Sequence, residues 1–164
     1  AYLNKESDDI FPLLSKHFEQ IAMAKVSASA LEAREMGYLT SEDVIIANPN
    51  ELLYVAKHQA LAMLESGLRP PLDDTFKVVG KAGHANIMAQ VANLFEGHFM
   101  SEHDKYCISS LAKVMTGSLV EENTVVNSKM ILDLERKYFV ELLGTQKTQD
   151  RIEYMLRNSK PLRN

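Results

Sequence analysis

"SEHDKYCISSLAKVMTG" spans residues 101–117, and its reading decides the fold. A serine, two carboxylates and a histidine stand in its first four positions, which raises the question of a catalytic cluster. The downstream pattern answers it. Cys107, Ile108, Leu111, Val114 and Met115 recur at three and four residues, the spacing of one apolar helix face. Ser101 stands just ahead of that stripe, where a hydroxyl accepts a hydrogen bond from an orphan backbone N–H. Glu102 and Asp104 then fall in the first turn, at the positive end of the helix dipole. Adjacent residues on a helix do not face one another, so His103 and Asp104 form no oriented dyad. The stretch is a helix start, with a stop near Gly117.

The same period runs outward in both directions. Ile10, Leu13, Leu14, Phe18, Ile21 and Ala22 make one apolar face. "SALE" at 29–32 is a capping box in which Ser29 accepts from Glu32 and Glu32 reaches back. Gly37 is its left-handed stop. Pro49 and Asn50 start a longer helix with the stripe Leu53, Ala56, Ala60, Met63 and Leu64, ended by Gly67. "LRPPLDDTF" at 68–76 excludes helix through its paired prolines and marks an internal boundary. Beyond it the pattern predicts helices from about His84 to Phe95, with Ile87, Met88, Val91, Leu94 and Phe95 inward, from about Thr124 to Leu143, and from about Thr148 to Arg157. Only "VII" at 44–46 and "FKVV" at 76–79 look strand-like. The expectation is an all-α, orthogonal multi-helix bundle of about six to seven helices, with segments 1–72 and 73–164 forming one compact unit.

Composition narrows the function classes. Apolar residues make up 46 % and charged residues 24 % of the 164, ordinary globular usage. A net charge of −4 argues against non-specific nucleic-acid binding. No apolar run reaches membrane-span length. The single cysteine, Cys107, excludes an internal disulfide and makes the cytoplasm the default. The basic residues near the end, Arg151, Arg157, Lys160 and Arg163, read as a solvated helix face.

No catalytic or metal-binding residue emerges. His98 and His103 are five apart across a helix cap, unlike the i, i+4 pair of a zinc helix. His17, His58 and His84 are scattered. Cys107 lies on the inward face of its helix and behaves as a small hydrophobe. "VVGKAGHAN" at 78–86 lacks the spacing of a phosphate loop, although Lys81 at a helix start leaves room for an anion. Gly80 and Gly83 read as the bend into that helix.

Several blocks carry a resemblance. "AMAKVSASALEAREMGYLTSEDVIIANPNELLYVAKHQALAMLESGLRPP" (22–71) resembles the C-terminal helical part of the crotonase, or enoyl-CoA hydratase, fold. "GHFMSEHD" (97–104), "LAKVMTGS" (111–118), "ILDLERKYF" (131–139) and "KTQDRIEYMLRNSKPLRN" (147–164) resemble the C-terminal extension of multifunctional β-oxidation enzymes. There, a 3-hydroxyacyl-CoA dehydrogenase part with NAD precedes an enoyl-CoA hydratase-like part. Ser118 stands where that family tends to have a second glycine.

The resemblance implies a C-terminal piece of a longer, cytoplasmic NAD-dependent dehydrogenase of fatty-acid β-oxidation. Ala1, which is not an initiator methionine, fits a fragment. The piece itself holds no Gly-x-Gly-x-x-Gly, dehydrogenase His–Glu pair or crotonase oxyanion hole, so it is expected to be inactive and without cofactor. Its implied partners are the rest of its parent chain, the parent's acyl-CoA substrate and further subunits. A two-fold dimer of the piece would hide Phe11, Leu14, Phe18, Ile21, Leu53 and Met63. The competing reading is a stand-alone helical adaptor that binds a partner protein.

Overall fold

The computed structural model describes residues 10–69 and 74–164. Among them are seven α-helices, one 3-10 turn and a two-stranded antiparallel ribbon, so the protein is mainly helical as the periodicity predicts. Contacts divide the described residues into two units: 10–23 with 74–164, and 24–69. Pro70 and Pro71, the expected boundary, lie outside the described residues.

In the first unit, helix α1 (Phe11–Ala22) carries Pro12 in its first turn, where a missing N–H leaves no bond unmade. Phe18 is buried, and Phe11, Leu14 and Ala22 pack against the same core. Helices α4 (Gly80–Glu96) and α5 (Glu102–Met115) supply the centre, with Ile87, Val91 and Ala112 at most 2 % exposed. Burial of an aliphatic side chain the size of Ile87 contributes about 1.5–3 kcal/mol. The apolar face of α1, expected to be stranded, is therefore covered apart from the exposed Ile21.

Leu94, expected inward, is exposed, because it sits on the rim of an open groove beside the end of α1. The stripe Cys107–Met115 of α5 is only half-buried. The deepest α5 positions are small or polar, Ser110 and Ala112, followed by Thr116. The Ser110 and Thr116 hydroxyls donate to the carbonyls of Tyr106 and Ala112, one turn back, which lets them sit deep.

Helix α4 starts at Gly80, ahead of the expected His84, because the chain turns directly out of strand β1 (Thr75–Lys77). That strand pairs with β2 (Val125–Asn127), Phe76 opposite Val126. Residues 124–127, expected as helix, are thus spent on the ribbon, and α6 (Ser128–Leu143) follows, capped by Asn127, which accepts from the Met130 amide at 2.9 Å. Ile131, Leu134, Leu142 and Leu143 of α6 are half-buried. Helix α7 (Gln146–Asn158) is capped by Thr145.

The second unit holds α2 (Ala30–Glu35), a 3-10 turn (Pro49–Glu51) and α3 (Leu52–Glu65). Ser29 accepts from the Glu32 amide at 3.1 Å, while the Glu32 carboxylate reaches back to the Ala28 amide at 2.6 Å, one residue beyond the usual box. Gly37 and Gly67 hold φ of +85° and +72°, the left-handed stops expected of them. Asn48 caps the 3-10 turn by accepting from Asn50. Arg34 donates to the carbonyls of Thr40 and Asp43, tying the following loop with polar contacts. "VII" at 44–46 forms no strand. Ala33 alone is buried among the described residues of this unit, and in α3 only Val55 reaches half-burial.

Candidate functional site

Two polar clusters in the first unit gather the residues that the sequence singles out. One is the start of α5. Ser101 Oγ accepts from the Asp104 amide at 3.1 Å, and Asp104 Oδ2 accepts from the Ser101 amide at 3.0 Å and its hydroxyl at 2.9 Å. This is a reciprocal capping box, so the helix-start reading holds. The other Asp104 oxygen, Oδ1, accepts from Arg151 Nη1 of α7 at 2.7 Å, and both side chains are largely buried. Burial pushes the Asp104 carboxyl up, but the Ser101 amide, Arg151 and the Ser101 hydroxyl outweigh it and hold it below the usual range.

Arg151 therefore does not belong to a solvated face, a correction to the sequence reading. Its Nε donates to Asn164 Oδ1 at 2.7 Å and its Nη2 to the Asn164 carbonyl oxygen at 3.2 Å, so Asn164 holds its other edge. Arg157 stays on the surface, paired with Glu153, and Lys160 and Arg163 are exposed. Residues 47 apart in sequence meet at Asp104 and Arg151, and no local pattern announces it.

His103 is 6 % exposed, with Nε2 3.0 Å from Thr148 Oγ1 of α7. Burial first, then Arg151 and Lys147, lower its pKa, against the opposing pull of Asp104. In a Ser-His-Asp arrangement a carboxylate orients the histidine. Asp104 spends both oxygens on Ser101 and Arg151, so it orients none. The cluster does structural work, fastening α7 to α5.

The remaining candidates do not converge. His17 meets Gln20, His58 lies against the Tyr54 ring at 4.3 Å, and His98 is exposed at a turn with φ of +60°. His84 is half-buried, its Nδ1 lacks a hydrogen-bond partner, and burial followed by Lys113 lowers its pKa. Among the described residues no group of three or more His, Cys, Asp or Glu is placed to hold a metal. Burial raises the pKa of the Cys107 thiol, which makes it a poor nucleophile at neutral pH.

The second cluster is a clasp around "VVGKAG". The Gly80 amide donates to the Thr116 carbonyl at 2.9 Å and the Lys81 amide to Val120 at 2.8 Å. The Lys81 ammonium pairs with Glu121. Gly80 holds φ of +54°, and a Cβ there would stand 2.3 Å from the Val120 carbonyl oxygen. Gly117, at φ of +77°, lies against Val78, and the next residue, Ser118, takes φ of +69°. The helix start expected to leave room for an anion is therefore filled by the chain's own carbonyls and a carboxylate.

A probable 3-hydroxyacyl-CoA dehydrogenase of Bacillus subtilis (strain 168) is 41 % identical to this chain over 165 residues, covering 99 % of the chain. The chain spans 21 % of that relative. No family model matches the chain, and no solved structure does. The start of α4 does not offer a dinucleotide site for the NAD that the dehydrogenase resemblance implies. A dinucleotide needs free amides at a helix start that follows a long strand. Here a three-residue strand leads into α4, whose Gly80 and Lys81 amides are bonded to Thr116 and Val120. Among the described residues no helix is long and apolar enough to cross a membrane.

Proposed function

We propose that this chain is a non-catalytic helical part of a cytoplasmic 3-hydroxyacyl-CoA dehydrogenase that also carries an enoyl-CoA hydratase-like module and acts in fatty-acid β-oxidation. The observation that carries the reading is the 41 % identity along 99 % of the chain to a dehydrogenase of which it spans 21 %. Its work is to pack on the remainder of the parent, to shape the wall of an acyl-CoA pocket and to form subunit contacts. NAD and the reacting groups belong to the parent's other parts. Both polar clusters support a structural role, since their donors and acceptors are turned on one another rather than toward a substrate.

The test is turnover by the purified 164-residue protein, with crotonyl-CoA and with 3-hydroxyacyl-CoA plus NAD. The expected result is none, because hydration needs an enolate-stabilising donor set and oxidation needs a hydride-acceptor site, and both belong to the parent's other parts. Turnover that survives repurification sinks the reading. Beside it, the full-length product of the gene is expected to oxidise 3-hydroxyacyl-CoA with NAD.

A further inference from the structure

Helix α3 carries an apolar surface that no single face can hold. At about 100° per residue, Leu53, Met63 and Leu64 fall in one broad sector of the helix, Tyr54 and Leu61 in a second, Val55 and Ala62 in a third. Only Lys57, His58 with Glu65, and Gln59 stand between these sectors. A helix that is hydrophobic all round belongs in an interior. Here most of it is in water: Leu53 is 83 % exposed and Leu64 74 %, Val55 alone is half-buried, and the whole unit 24–69 has Ala33 as its buried residue. One unpartnered stripe is ordinary, but two, with a third sector only half-covered at Val55, around a single helix are not.

We infer that α3 is the plug of an enclosing apolar cleft formed by the rest of a longer parent chain, buried in all three sectors rather than laid on a surface. The inference rests on the reading under "Proposed function" and adds the mode of contact. A second copy of this chain is a poorer occupant. A two-fold helix pair covers one sector of each helix and leaves the other two in water. A cleft is the geometry that covers all three, and the relative carries its 41 % identical stretch together with roughly four times as much further chain, its matched share being 21 %. Between the sectors, Lys57, Glu65 and Gln59 need polar partners on the cleft wall, since a buried charge without one is strongly unfavourable.

Thiol labelling tests this with single cysteines at Leu53, Leu61 and Ala62, one per sector, in a Cys107→Ala background. Each variant is compared in the 164-residue chain and in the full-length product of the gene. All three sites are expected to label rapidly in the short chain and about a hundredfold more slowly in the long one. Hydrogen exchange of α3 in both unsubstituted proteins guards against a variant that misfolds, and the same slowing is expected there. If any of the three sites stays fast in the long chain, α3 is not enclosed. Protection in the short chain also overturns the inference: dilution-dependent protection names a second copy, dilution-independent protection the chain's own first unit. Dehydrogenase turnover of the same long product separates the two readings. Turnover with fast labelling sinks only the plug, and slow labelling without turnover sinks only the dehydrogenase assignment. A gene product no longer than these residues overturns both.

Discussion

The two units contain helices of similar length made from similar residue types, yet only one set builds a core. In the first unit α4 and α5 bury Ile87, Val91 and Ala112 almost completely, and Phe18 of α1 closes the same cluster. In the second, α3 places Leu53 and Leu64 in solvent. What differs is not apolar content but supply of neighbours. A helix acquires most of its stability from tertiary packing, and a lone one of this length is marginal in water. Capping does not compensate: Ser29, Asn48 and Gly67 mark the ends of the second unit's elements correctly without giving them anything to pack on.

The sharpest way to break this contrast is truncation in both units of the 164-residue chain. Ile87→Ala is expected to destabilise the first unit by about 2–5 kcal/mol, since it empties a packed site. Leu64→Ala in α3 is expected to move urea or thermal unfolding by no more than about 0.5 kcal/mol. Comparable losses from the two would mean that α3 is packed in the short chain after all.

Glycine gives a second pairing. Gly80→Ala adds a Cβ 2.3 Å from the Val120 carbonyl at a left-handed φ, with backbone rather than a movable side chain in the way. A loss of about 2–4 kcal/mol is expected in a melting experiment. Gly67→Ala meets nothing within 4 Å and carries only the cost of its φ, about 1–2 kcal/mol at most. If the two substitutions cost the same, the clasp is looser than its distances imply.

Acid acts on the first unit in a defined direction. His103 has a folded pKa below the ordinary histidine value of 6.5, so the unfolded chain takes up its proton first. Stability is then fully present above 6.5 and is lost as pH falls through that value toward the folded pKa. The melting temperature of the wild type is expected to drop between pH 7.5 and 5.5, and His103→Gln to drop less. His84 is shifted the same way and keeps part of the slope. An unchanged slope in the variant would take His103 out of the α5–α7 fastening. The one substitution expected to stabilise is Ser118→Gly, which relieves a left-handed non-glycine residue by about 0.5–1 kcal/mol, read as a raised melting midpoint.

Local signals were the legible ones. Helix existence, the Ser101 cap, the stops at Gly37, Gly67 and Gly117 and the inward Ile87 and Val91 follow from period and turn chemistry over a few residues. What escaped involves partners far along the chain. Val125–Asn127 is strand because Thr75–Lys77 lies beside it, and Arg151 is withdrawn from solvent because Asp104 and Asn164 meet it. Leu94 failed for the opposite reason: its helical phase is right, but α1 ends before covering it. In the candidate site, the dismissal of an SEHD dyad came from adjacency on a helix, while the fate of the VVGKAG loop needed the Thr116 and Val120 carbonyls, which only the fold brings near.

Helix α1 docks on α5 although about fifty residues separate it in sequence from the rest of its unit; joining two segments across such a run costs entropy that grows only with the logarithm of its length. The run thus acts as a tether that sets the effective concentration of α1 at its seat. Cutting it between residues 24 and 69 would turn docking into a two-body association, with Phe18 held by the affinity of one short helix alone, and the core's integrity would come to depend on protein concentration.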